Sequence, residues 1–113
     1  MIESYSFGKM VINGRNHTAD LIIFPDGSTQ DSWWRSQGHL VSLSDITGLI
    51  ATEPKIIVVG TGASGLMRPG AGLKEGLAKR GIELITQPCK KAIHTFNKLR
   101  NDKKVGGCFH LTC

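Results

Sequence analysis

Nowhere in this chain do apolar residues run on for the roughly 20 positions that a helix needs to cross a bilayer. No membrane association is expected. The opening Met1-Ile2-Glu3-Ser4-Tyr5-Ser6 lacks the basic start, apolar middle and small-residue cleavage site of a secretory signal. Cytoplasmic residence is the expectation. Cysteine is scarce: Cys89, Cys108 and Cys113 are an odd number without a repeated spacing, which implies no disulfide framework and fits reduced thiols. No carboxylate pair has a recognisable catalytic spacing, and the four histidines, His17, His39, His94 and His110, are scattered. Internal repeats, linkers and low-complexity tracts are absent. The 113 residues make one domain, which on size alone buries roughly two-thirds of the surface of its unfolded chain.

Acidic residues are also few, and the imbalance is local. Between Lys90 and Lys104 lie Lys90, Lys91, Lys98, Arg100, Lys103 and Lys104 against Asp102 alone, so this segment sums to the whole chain's net +5. A basic helix of this kind suits an acidic partner or nucleic acid, because neutralisation of phosphates dominates the latter kind of binding. No aromatics interleave with the lysines as stacking platforms, so a solvated helix face is the simpler reading. The nucleic-acid reading stands behind it.

Gly60-Thr61-Gly62-Ala63-Ser64-Gly65, directly after the apolar run Ile56-Ile57-Val58-Val59, spells the dinucleotide fingerprint G-x-G-x-x-G. The letters need a helix opening at the last glycine and an acidic residue at the end of the next strand. Neither is present. Pro69, Gly70 and Gly72 oppose a helix there, and Glu83 falls early in its strand. What remains is a turn at the C-terminal end of a parallel strand, where ligands of open α/β sheets bind. Gly60, Thr61, Gly62, Ser64, Gly65 and Arg68 are therefore the candidate residues for a small anion or metabolite. The alternative is that the glycines merely supply positive φ angles.

The pattern of elements predicts an α/β fold in three layers, with a central mixed sheet and a small N-terminal antiparallel layer. A strand from Tyr5 to Ile12 meets the hairpin dipeptide Asn13-Gly14 and returns from Thr18 to Phe24. Tyr5 and Phe7 fall on the face opposite Met10 and Ile12, which predicts a bulge near Gly8-Lys9. A third strand is read over Thr29 to Arg35. Ser42 or Ser44 caps a short helix through Ala51, with Asp45 in its first turn. Ile56 to Val59, apolar throughout, reads as a central strand covered on both faces. A helix from Ala71 to Arg80 ends at Gly81, a strand follows over Ile82 to Thr86, and Pro88 starts a helix to Arg100 with the stripe Cys89, Ala92, Ile93, Phe96 and Leu99. The segment from Val105 onward reads as a last strand.

Two further groups have chemical potential. Cys108-x-His110-x-x-Cys113 has zinc-type ligands but no second pair and the wrong strand parity for Cys113, so no metal and no cofactor is expected. Trp33, Trp34 and Arg35 form the only dense aromatic and cationic group, of a composition found in protein interfaces. Either tryptophan also suits a core.

Asn13-Gly14, Trp34-Arg35, Ile57-Val58-Val59-Gly60-Thr61-Gly62, Gly81-Ile82-Glu83-Leu84, Ala92-x-x-Thr95-Phe96-Asn97-x-Leu99 and the close Val105-Gly106-Gly107-x-Phe109-His110-x-Thr112-Cys113 together resemble domain-of-unknown-function family 498. The likeness spans nearly the whole chain. It implies the same three-layer α/β fold. The family includes small methanogen proteins, adipogenesis-associated domain proteins and a mitochondrial factor for assembly of respiratory complex I, and it supplies no catalytic residues to carry over. The resemblance implies a non-enzymatic binding or assembly-type module, self-associating, with a dimer as one form. Trp33, Trp34, Arg35, Lys90, Lys91 and Lys98 are its candidate surface residues.

Overall fold

The computed structural model describes all residues from Met1 to Cys113. Its N-terminal layer is a three-stranded antiparallel meander of β1 (Ile2–Ser6), β2 (Lys9–Ile12) and β3 (Arg15–His17). The expected strand from Tyr5 to Ile12 is thus two strands. Ser6 pairs with Lys9 across a Phe7-Gly8 turn, and the change of face read as a bulge is this reversal, made by Gly8 at φ +76°. Asn13-Gly14 forms the turn into β3, as expected, with both residues at positive φ.

The hairpin returns earlier than expected, and of the strand read over Thr18 to Phe24 only Leu21–Ile23 is extended. Arg15–His17 stays in the small sheet, whereas β4 (Leu21–Ile23) crosses into the central sheet. There β4 pairs with β5 (Thr29–Gln30), far shorter than the strand expected over Thr29 to Arg35. Ser32 at φ +54° ends extended structure, and the Trp33 N–H turns to Asp20 O at 2.7 Å.

After β6 (Leu40–Val41) a 3₁₀ turn, Leu43–Ile46, leads into α1 (Thr47–Ala51). Ser42 and Asp45 form a reciprocal capping box at its start. Then come β7 (Ile56–Gly60), β8 (Arg68–Pro69), which pairs with β6, and α2 (Leu73–Ala78), which Gly81 closes at φ +73°. β9 (Glu83–Gln87), α3 (Cys89–Leu99) and β10 (Val105–Phe109) complete the chain.

The central sheet runs β5-β4-β10-β7-β9. β10, β7 and β9 are parallel, and β4 and β5 are antiparallel to their neighbours. β7 and β10 are buried at every residue because both faces are covered. Strand alternation divides their side chains between two cores. Ile56, Val58, Val105 and Phe109 face α3 and the small sheet, and Ile57, Val59 and Cys108 face α1 and α2. On the first side Phe96 meets Phe109 edge to face at 5.8 Å. No helix is long and apolar enough to cross a membrane.

Candidate functional site

The parallel strands end against the chain's closing segment, and polar contacts concentrate there. The antiparallel register that sets Phe109 opposite Leu21 brings the next residue, His110, to Asp20. Asp20 Oδ2 lies 2.7 Å from His110 Nδ1 and 2.8 Å from Arg35 Nη2, and Oδ1 accepts the Leu111 N–H at 2.8 Å. One carboxylate therefore gathers a histidine, an arginine and a backbone amide. Burial raises the Asp20 pKa, but the hydrogen bonds from His110, Leu111 and Arg35 outweigh it and hold the carboxyl below its usual range.

The tautomer of His110 follows from counting hydrogens. Arg35 Nη2 carries two, and they point to Asp20 and to Gly38 O at 2.7 Å, so its 3.2 Å approach to His110 Nδ1 is a contact between two donors. Nδ1 donates to Asp20, and Nε2 faces Thr112 Oγ1 at 3.5 Å. The exposed His39 ring meets His110 edge-on at 5.4 Å.

The rest of the closing segment is tied from three other directions. Gly8 N–H donates to Leu111 O, as does the Tyr5 hydroxyl at 2.8 Å, and burial pushes that phenol up to about 12. Cys89 Sγ lies 3.0 Å from His110 O. Ala63 N–H donates to Thr112 O and Leu66 N–H to Cys113 O.

These bonds define what the glycine loop does. Thr61, Ala63, Leu66 and Met67 all donate their N–H groups within the protein, to Gln87, Thr112, Cys113 and Thr61 in turn. Gly62 is buried at φ +104°, and a Cβ there would lie 2.7 Å from Cys113 O. Only glycine fits this close approach. Gly60 and Thr61 are buried too, Ser64 and Arg68 are exposed, and the Arg68 N–H is taken by His39 O. The Gly62 N–H is directed at the Cys89 sulfur, whereas those of Ser64 and Gly65 donate to no backbone acceptor.

The expected surface residues separate. Trp34 is 79% exposed, while Trp33 and Arg35 are 4% and 7% exposed. Those two are not surface residues. Trp33 Nε1 donates to Asp45 O at 2.9 Å, and the Arg35 guanidinium lies 4.5 Å over the Trp33 ring. Lys90, Lys91 and Lys98 are exposed on α3, opposite the buried Cys89, Ala92, Ile93 and Phe96.

Of the Cys108, His110 and Cys113 trio, Cys108 points into the α1 and α2 core while His110 binds Asp20, so the three do not converge. Burial pushes the Cys108 thiol up to about 12 and the Cys89 thiol up to about 11. Asp20 escaped the sequence reading altogether. Its signal was present: an acidic residue just before an apolar triplet. It becomes informative once β4 is paired with the last strand instead of the first.

Among solved structures, the chain is similar to a conserved hypothetical protein of Pyrococcus horikoshii at 23% identity, covering 100% of this chain and 99% of that one, with a TM-score of 0.86. It is also similar to the Xanthomonas campestris protein XCC1710, at 18% identity over 98% of this chain and 83% of that one, TM-score 0.82. A Mth938-like domain of Bordetella pertussis matches at 17% identity, over 98% and 85% of the two chains, TM-score 0.69. At such identities these likenesses establish the fold. The family described as "protein of unknown function (DUF498/DUF598)" matches residues 2–110, and the chain belongs to that family.

Proposed function

We propose that this protein is a binding or assembly module that works through protein–protein contact, with Trp34 as its anchor and a second copy of the chain as its first partner. The carrying observation is the mounting of Trp34. Its indole stands out of the surface while both neighbours are pinned beneath it, so little conformational freedom is lost when a partner covers it. Tryptophan is the side chain most enriched among residues that dominate interface energies. Phe7 and Leu66, the other large apolar side chains left exposed, stand beside residues bonded to the closing segment or are bonded to it themselves. They favour the same end of the molecule. Lys90, Lys91 and Lys98 offer a second face to an acidic partner.

Sedimentation velocity over a concentration series tests this reading. Self-association of the wild type is expected, with loss in Trp34→Ala and retention in Phe24→Leu. A monomer at every concentration, or association unchanged in Trp34→Ala and in the Lys91→Glu, Lys98→Glu variant, removes the reading.

A further inference from the structure

We propose that Thr112 is an acyl-accepting nucleophile, with His110 as its base and Asp20 as the group that orients the base, acting on activated carboxylic esters. The inference does not depend on the binding reading. Three observations carry it. The first is the order of contacts: carboxylate Oδ2 to Nδ1 at 2.7 Å, then Nε2 to a hydroxyl at 3.5 Å. This is the arrangement of a nucleophile, base and orienting acid, with the long hydroxyl contact usual in a site without substrate.

The second is the fixing of both partners. Asp20 is held by Arg35 and Leu111, and His110 by its own N–H to Gly60 O at 2.9 Å. The Thr112 methyl lies toward Gly8, where a Cβ would be 4.0 Å from it, and the hydroxyl faces the imidazole. The third is the glycine turn. It packs on the Thr112-Cys113 backbone and leaves the N–H groups of Ser64 and Gly65 without backbone acceptors. Such donors stabilise the oxyanion of acyl transfer.

In the step, Thr112 Oγ1 attacks the ester carbonyl carbon and forms a new C–O bond while its proton passes to His110 Nε2. The oxyanion collapses, the C–O bond to the leaving alcohol breaks, and that alcohol takes the proton from Nε2. Acyl-threonine and free alcohol result. Water, deprotonated by the same nitrogen, returns the hydroxyl and releases the acid.

The test uses p-nitrophenyl acetate with the full chain, reading nitrophenolate release and the acetylated residue by peptide mass mapping. Acetyl on Thr112 is expected, with its rate lowered about 100-fold or more in His110→Gln, the scale of a lost general base. Thr112→Ser keeps the reaction. Thr112→Val, which preserves the side-chain shape, abolishes it in a protein that still melts cooperatively. Acetyl confined to lysines, the N-terminus or Cys113 overturns the proposal. So does Thr112 acetylation at an unchanged rate in His110→Gln.

Discussion

Where the parallel strands β7, β9 and β10 begin, a cleft of about 320 Å³ opens between Pro54, Gly81 and Ile82, lined by the exposed side chains of Glu53, Lys55 and Arg80. Where the same strands finish, no cavity is lined by Asp20, His110 or Thr112, yet a carboxylate, an arginine and a histidine lie packed together, mostly buried, beside the half-buried Thr112. The comparison teaches that hollowness and chemistry are separate properties. Charges held by one another set a geometry, and burying them is costly enough that only mutual pairing sustains it.

The largest expected difference between the two ends comes from removing a charge at each. Asp20→Ala leaves the Arg35 guanidinium buried without its partner, at a cost of about 3 to 5 kcal/mol. Arg80→Ala at the cleft changes stability by less than about 0.5 kcal/mol. Urea titrations of the two variants measure both. Equal losses would erase the distinction.

Glycines give the next comparison. Gly62→Ala meets both a left-handed backbone and the Cys113 carbonyl, whereas Gly81→Ala, also at positive φ, has open space around its Cβ. The second costs about 1 to 2 kcal/mol for its backbone alone, and the first costs more, to be read from melting temperatures.

Acid provides a third probe. Asp20 ionises at lower pH in the fold than in the unfolded chain, where a carboxylate titrates near 3.9. Its stabilisation is complete above that value and is lost as pH falls through the folded one. Melts at descending pH therefore lose stability below about pH 4, and Asp20→Asn flattens that limb. A limb of equal slope in the variant would assign the acid sensitivity elsewhere. The smallest effect concerns thiols. An aromatic disulfide reagent should modify the partly exposed Cys113 and spare Cys89 and Cys108, whose burial keeps them protonated at neutral pH.

How legible each end was in the sequence follows from the range of the contacts. Ile56 to Val59 declared a doubly covered strand because a short, β-branched apolar run between Pro54 and Gly60 fits a strand buried on both faces. The α3 stripe was readable from its helical period, and Gly81 from the cap it forms. Phe7-Gly8 was half legible: the change of face was visible, but a bulge and a reversal leave the same mark in a period of two. Asp20, Arg35 and His110 were not legible as a group, because the fold brings them together across sequence separations of 15 and 75 positions. The six letters from Gly60 to Gly65 suggested a ligand grip. Their glycine requirement at Gly62 is set by the closing segment of the same chain, a contact no local motif contains.

Amide hydrogen exchange of Asp20→Asn against wild type bears most directly on the claim that this carboxylate organises the end where the strands finish. Selective loss of protection, about tenfold or more, is predicted at Ala63, Leu66 and Leu111, whose N–H groups bond to the closing segment or lie within it, with β9 and Ile82 unchanged. Uniform loss at both ends, or unaltered exchange at those three amides, would contradict it.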